Sequence, residues 1–565
     1  MSLSPRRTDS GSRVRTRGRI LAALFVLFAL VLVSRLVQLQ VVEGGRWRTL
    51  AASVQERTVE LPPRRGAILD RDGTPLAFDV KAQAIAVDGY NMTKPATLVD
   101  ILSEELGRSA GEISRLVYRA SYFTWVDRTV DLATAQRIEE RAREAGAYGL
   151  IFLDTWKRCY PQGRLASNVI GFVGTDGVGL EGIELQFDEA LRGRPARIHI
   201  IEGADGKTYQ TEMLDRGEPG RDIVLTLDAE LQFVCEQEIE AGVRKHRAAS
   251  GMIVALDPAS GEVLAMAQDK GFDLNRFRSS TPAQRKNLAV SALFEPGSVF
   301  KVFAGLAALD AGVVKVGDTL DGDDGVRIAG HTMHNAENLS YGTVTFAQTI
   351  EDSINTAMIQ VAFRLGEDAL RASLAAFGFG ERTGIGLPGE EPGILRPAAV
   401  WSSLDLAAAS IGQSVAVTGI QLARALAAVA CDGRLPAVRI VRGDDRKDEN
   451  PECVVGAAAS ETMRTLMTRV VESGTGILAA IDGFPVAGKT GTAQKAIPGR
   501  GYADGMTTSV FAGLLPADAP EIVIVVVLDE VKAAHQSAGY TAAPVFRETA
   551  IRLIHAHRLT PLGGG

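Results

Sequence analysis

The 23 residues from Ile20 to Val42 constrain this chain before any other feature does. Ile20 to Val33 is uninterrupted apolar sequence, and Leu36, Val37, Leu39, Val41 and Val42 carry it past Ser34 and Arg35. As a helix rising about 1.5 Å per residue, such a run crosses the roughly 30 Å hydrocarbon core of a bilayer. No small-x-small cleavage site comes closely after it, so it reads as a retained anchor rather than a removed signal. Arg6, Arg7, Arg13, Arg15, Arg17 and Arg19 stud the preceding tail against one acid, Asp9. That excess of positive charge keeps residues 1–19 in the cytoplasm and places everything after residue 43 outside. Arg35, near the outer end, can snorkel to the interface.

The chain beyond the anchor is too long for one core: 565 residues imply several domain-sized units. A net charge of -7 gives no reason to expect nucleic acid as a partner. Cys159, Cys235, Cys431 and Cys453 are scattered without metal-ligand spacing and read as isolated thiols. The seven histidines show no zinc pattern, and no metal or organic cofactor is implied.

Residues 43–220 alternate strand-like runs, turns and charged helices. Ile68-Leu69 and Pro75 to Phe78 flank an Asp-Gly turn, and helical patterns fall near Leu98–Leu106 and Ala133–Glu144. Asp70-x-Asp72-Gly73 resembles the start of a calcium loop, but the remaining ligands are missing, so a hairpin turn is the reading. No nucleophile–base pair is found here. By itself the section is an extracytoplasmic, non-catalytic α+β region.

Near Arg221 the pattern changes. Ile223 to Thr226 reads as a strand, and Asp228 caps a helix with Leu231, Val234, Cys235, Ile239 and Val243 on its apolar face. Met252 to Leu256 and Val263 to Met266 form a hairpin around Asp257-Pro258-Ala259-Ser260-Gly261. Ala-rich helices come next (404–409, 420–430, 460–471), then strands at 508–515 and 521–528 and a last helix at 543–555. Strands at both ends of a helical middle imply an antiparallel sheet flanked by helices.

Three stretches carry chemistry. Glu295-Pro296-Gly297-Ser298-Val299-Phe300-Lys301 puts a hydroxyl and an amine one helical turn apart, the simplest way to activate serine without histidine. Ser353-Ile354-Asn355 sets a hydroxyl and an amide two residues apart in a loop between helices. Lys489-Thr490-Gly491-Thr492 lies on an expected edge strand, where glycine lets a substrate backbone approach. Each alone reads more readily as polar residues on a surface. In this order, with Ser353 standing 55 residues after Ser298, the set matches that of penicillin-binding proteins and serine β-lactamases. A decoy overlaps the third stretch: Gly483 to Thr490 spells the phosphate-loop pattern GxxxxGK[ST]. That pattern requires a helix after the lysine, which Gly491, Pro498, Gly499 and Gly501 do not sustain.

With these stretches in hand, the chain resembles class B penicillin-binding proteins, the monofunctional peptidoglycan transpeptidases, over nearly its whole length. Arg65-Gly66 with Asp70-Arg71, and Gly179-x-Glu181 with Glu184, look like the family's pedestal signatures, and Phe511-x-Gly513-x-x-Pro516 like its late core strand. Ile354 departs from the second small polar residue often seen between the serine and asparagine. The resemblance implies a multidomain α+β protein: cytoplasmic tail 1–19, transmembrane anchor 20–42, pedestal 43–220, transpeptidase domain 221–557 and tail 558–565. Ser298 is then the nucleophile and Lys301 its base, with a pKa depressed by burial and by Lys489. Ser353 relays a proton, Asn355 holds the substrate amide and orients Lys301, and Lys489, Thr490, Gly491 and Thr492 form the carboxylate site. The N–H groups of Ser298 and Thr492 form the oxyanion hole. The implied substrates are stem peptides ending in D-Ala-D-Ala, with β-lactams as inhibitors. The implied partners are a SEDS-family glycan polymerase and other divisome membrane proteins at the inner membrane. The modest pedestal favours the division-specific (FtsI-like) type over the elongation type. A D,D-carboxypeptidase or β-lactamase, and a non-catalytic β-lactam sensor or scaffold, are the remaining alternatives.

Overall fold

In a computed structural model, residues 10–46, 56–120, 123–202, 208–443, 452–497 and 501–557 are described; Arg6, Arg7, Asp9, Pro498, Gly499 and the tail 558–565 lie outside them. These residues fall into two compact units, one within Met1–Pro63 and Arg194–Pro219, the other within Arg64–Gly193 and Gly220–Gly565. The first holds the N-terminal helix Ser10–Val37, continued by a π-helical turn Gln38–Val42. Among the described residues this is the one helix long and apolar enough to cross a membrane. At its end the Arg35 guanidinium donates to Gln38 Oε1 (2.9 Å), and the Gln38 amide donates to Glu43 Oε1 (2.8 Å). The same unit holds an antiparallel three-stranded sheet, with Ala196–Glu202 between Glu56–Leu61 and Thr208–Asp215.

In the second unit the expected hairpin forms between Ile68–Leu69 and Pro75–Val87. Asp70 Oδ1 accepts from the N–H groups of Asp72 (3.0 Å) and Thr74 (2.7 Å), so this carboxylate shapes a turn. The long strand Pro75–Val87 pairs with both Thr124–Asp131 and Leu150–Cys159. Helices Pro95–Leu106, Ala110–Arg119 and Leu132–Glu144 share one apolar cluster with these strands. The middle helix buries Ile113 and Val117; with Leu116 they give the i, i+3, i+4 apolar spacing of a helix, a signal that sequence reasoning does not single out. The two pedestal signatures meet in the interior. Arg65 Nε donates to Glu184 Oε2 (2.7 Å) and Arg65 Nη1 to Asp188 Oδ1 (2.7 Å). Arg158 reaches both Glu184 Oε1 (2.7 Å) and Asp79 Oδ1 (3.3 Å).

The C-terminal half is built on a five-stranded antiparallel sheet in the order Val263–Gln268, Ser250–Leu256, Ile522–Val531, Gly501–Leu515, Ala487–Ile497. Early and late strands close it, because Val523 to Asp529 pair directly with Leu256 to Ser250. Both faces are covered, which explains why Ile522 to Leu528 is apolar at every position. Val523, Val525 and Val527 join the cluster that contains the helices Phe300–Asp310 and Gly419–Ala430. Ile522, Ile524, Val526 and Leu528 join the one containing Ala229–His246 and Ala542–His557. Asp228 caps Ala229–His246 by accepting from Glu230 N and Leu231 N. The four cysteines are free thiols.

Candidate active site

Ser298 sits in a single 3₁₀ turn, Gly297–Val299, that runs straight into the helix Phe300–Asp310. Lys301, in the first turn of that helix, is completely buried, while Ser298 is half-buried. The helix is apolar on all sides, with Phe300, Val302, Phe303 and Leu306 inaccessible to solvent, so its lysine has no route outward. Its ammonium group turns instead to the loop between the helices Phe346–Glu351 and Asn355–Leu365. Lys301 Nζ donates to Ser353 O, to Ser353 Oγ (3.2 Å) and to Asn355 Oδ1 (2.6 Å).

That loop is held in an unusual shape. Ser353 has φ +61°, a left-handed conformation that costs a residue with a side chain roughly 1 kcal/mol. The residues just after it, Asn355 and Thr356, are held by Asn335, a buried amide in the segment between the short strands His331–Met333 and Thr343–Thr345. Asn335 Oδ1 accepts from the N–H groups of Asn355 and Thr356 (3.0 Å each), and its Nδ2 donates to Gly322 O (3.0 Å) and Leu339 O (2.9 Å). Asn355 Nδ2 donates to His334 O (2.8 Å), which leaves its oxygen aimed at Lys301.

The third stretch lies on Ala487–Ile497, the edge strand of the sheet, with Lys489 opposite Ala512 and Gly491 opposite Val510. A strand therefore stands where the phosphate-loop reading needs a helix. Lys489 is completely buried and donates to Thr490 O (3.2 Å). Thr490 is buried, and its hydroxyl oxygen lies 2.7 Å from that of Thr475. Thr492 is exposed, and its Oγ1 accepts from Ala538 N (2.9 Å). Gly491 has a structural duty besides the expected one. A Cβ there would fall 2.3 Å from Pro296 O, so only glycine lets the Ser298 turn seat against this strand.

All three stretches thus converge on one site. Lys301, Ser353 and Asn355 are joined by hydrogen bonds. The Ser298 turn and the Lys489 strand are joined by backbone packing, and among the described residues no hydrogen bond links the Ser298 hydroxyl to Lys301. Burial, and then the like charge of Lys489, hold Lys301 well below the ordinary lysine pKa. Burial also lowers Lys489, to about 7, against the opposing pull of Asp352. Sequence reasoning does not single out Asn335, Asp352 or Thr475. Asp352 adjoins the Ser353 motif, whose pattern gives it no role, whereas Asn335 and Thr475 carry no local signal at all.

Comparison with known proteins agrees with this geometry. Residues 251–550 match the penicillin binding protein transpeptidase domain, and residues 60–225 match the penicillin-binding protein dimerisation domain. The chain belongs to the penicillin-binding proteins. The probable peptidoglycan D,D-transpeptidase PbpC of Pseudomonas aeruginosa is 31% identical over 567 residues, covering 98% of this chain and 97% of that one. Penicillin-binding protein PbpB of Mycobacterium tuberculosis is 32% identical over 596 residues, covering 97% and 87%. The crystal structure of penicillin-binding protein 3 from Mycobacterium tuberculosis, complexed with aztreonam, superposes with a TM-score of 0.69 at 29% identity, covering 89% of this chain and 98% of that one. A dimerisation domain followed by a transpeptidase domain is the class B layout. This penicillin-binding protein is a serine-type peptidoglycan D,D-transpeptidase.

Proposed function

We propose that Ser298 is the acylated residue, Lys301 its base, and the reaction the cross-linking of stem peptides that end in D-Ala-D-Ala. The observation that carries this is the environment of Lys301. A neutral amine has two N–H groups and one lone pair. Lys301 Nζ lies against Ser353 O, Asn355 Oδ1 (2.6 Å) and Ser353 Oγ (3.2 Å); with its two protons on Ser353 O and Asn355 Oδ1, the lone pair is left for a hydroxyl proton, that of Ser298 one helical turn away or that of Ser353. Ser298 Oγ then bonds to the carbonyl carbon of the penultimate D-alanine, and the N–H groups of Ser298 and Thr492 donate to the oxyanion. The peptide C–N bond breaks as Ser353 passes the proton to the departing D-alanine amine. An amine from a neighbouring stem peptide attacks the ester, and Ser298 leaves with its proton restored.

Lys489, Thr490, Gly491 and Thr492 form the site for the terminal carboxylate. With Lys489 poised near neutrality, an arriving anion favours its charged form, so the full positive charge appears when substrate binds. β-Lactams present the same carboxylate and a strained amide, and they acylate Ser298 in turn.

Residues 43–220 serve as the pedestal and 221–557 as the transpeptidase domain. Residues 20–42, most of them in the helix Ser10–Val37, anchor the chain in the inner membrane, with its N-terminus cytoplasmic and its catalytic domain outside, as the arginines Arg13, Arg15, Arg17 and Arg19 favour. By analogy within the family, the protein works at the division septum beside a SEDS-family glycan polymerase and other divisome membrane proteins. The full chain, incubated with a D-Ala-D-Ala stem peptide and an amine-bearing acceptor, is expected to release D-alanine and cross-linked product in equal amounts. Release with hydrolysed peptide alone would make it a carboxypeptidase. A functional fluorescent fusion spread along the lateral wall would replace the septal role with an elongation role.

A further inference from the structure

The segment Ser473 to Gly476 comes directly after the helix Ala457–Glu472 and touches two walls of the site at once. Towards the Ser353 loop, Thr475 N donates to Glu351 O (3.3 Å) and Ser473 Oγ donates to Glu351 Oε1 (2.5 Å). Glu351 is two residues before Ser353, and its other oxygen pairs with Arg469 at 2.8 Å. The approach is tight: a Cβ on Gly474 would lie 2.4 Å from Glu351 O. Towards the edge strand, the Thr475 hydroxyl oxygen lies 2.7 Å from that of Thr490.

We propose that Thr475 is a positioning residue for the substrate carboxylate, acting through Thr490; this rests on the reading of Thr490 as a carboxylate ligand. A hydroxyl has one proton to give. If Thr490 gives its proton to Thr475, it has none for the anion. If Thr475 donates to Thr490 Oγ1, the Thr490 proton is free to point into the site. An arriving carboxylate selects the second arrangement, and the chain Thr475 to Thr490 to carboxylate strengthens each of its bonds. Because Thr475 is also tied to Glu351, the carboxylate site and the Ser353 loop share one mechanical reference.

The test uses two acyl donors for the full-length protein, N-benzoyl-D-alanyl-thioglycolate with its free carboxylate and the methyl ester of the same thioester. Thr475→Val is expected to lower kcat/KM about tenfold on the carboxylate and less than about twofold on the ester. Thr475→Ala is expected to give the same ratio, so the comparison survives if the valine variant fails to fold. Thr475→Ser is expected to restore the wild-type ratio. Added to Thr490→Val, Thr475→Val is expected to cause no further loss. Equal losses on both donors, no loss on either, or losses that multiply in the double variant would each overturn the inference. If Thr490→Val itself fails to distinguish the two donors, the assignment of the carboxylate site falls, and this inference with it. If Thr490→Val distinguishes them and the Thr475 variants do not, only the role of Thr475 falls.

Discussion

Two groups of buried charge in the second unit obey opposite rules. Around Glu184, two guanidiniums and three carboxylates are interleaved: Arg65 with Glu184 and Asp188, Arg158 with Glu184 and Asp79. Around Ser298, two lysines are buried as deeply, and their nearest hydrogen-bonding partners are neutral oxygens. Burial disfavours charge in both places, but the outcomes differ. At Arg158 the attraction of Glu184 and other neighbours outweighs burial, and its pKa lies above the ordinary value. At Lys301 burial and Lys489 push the same way, and its pKa lies well below the ordinary value. Paired charge fixes a shape, whereas unpaired like charge makes a base.

The largest effect expected from this contrast is at Lys301. Lys301→Met removes the proposed base while filling its volume, so acylation by benzylpenicillin should slow by roughly a thousandfold or more. The folded state should change little in stability, because relief from burying the amine is offset by leaving Ser353 O and Asn355 Oδ1 without their donor. Stopped-flow acylation and thermal melts check both halves. The next effect is at the other cluster. Glu184→Gln leaves two buried guanidiniums short of their shared carboxylate and should cost about 3–5 kcal/mol of stability in denaturant titrations, with little change in the acylation rate of the folded fraction. If Glu184→Gln slowed acylation as Lys301→Met does while leaving stability intact, the two clusters would not differ in kind.

A smaller effect sharpens the lysine side. The folded pKa of Lys489 is about 7, against 10.5 for the free side chain. Between those values the unfolded chain holds a proton that the folded chain lacks, so stability rises with pH across this window. Lys489→Met should flatten that rise. Urea titrations at pH 7 and 9 read it directly, and an unchanged slope would mean that Lys489 stays charged in the folded protein.

The anchor, the sheet with its early and late strands, and the three stretches of the site are legible in sequence because each depends on local pattern. A 23-residue apolar run, alternation of strands and turns, and fixed spacings of serine, lysine and asparagine survive without knowledge of the fold. The features that escape depend on tertiary contact. Asn335 reads as one more polar residue in a loop, yet its amide shapes the start of the helix that carries Asn355. Thr475 gains meaning only when Thr490 arrives beside it from another element. Gly491 reads in sequence as room for substrate, and the structure adds that it makes room for the chain's own Pro296. The ion cluster joining Arg65 to Glu184 spans 119 residues of sequence, and no periodicity reports such a pairing.

The central claim is that Ser298 carries the acyl group. Incubation of the full chain with benzylpenicillin, then proteolysis and mass spectrometry, tests it most directly. The account predicts one stoichiometric adduct on the peptide containing Ser298, absent from Ser298→Ala. An adduct that persists in Ser298→Ala, or that maps to Ser353, would contradict it.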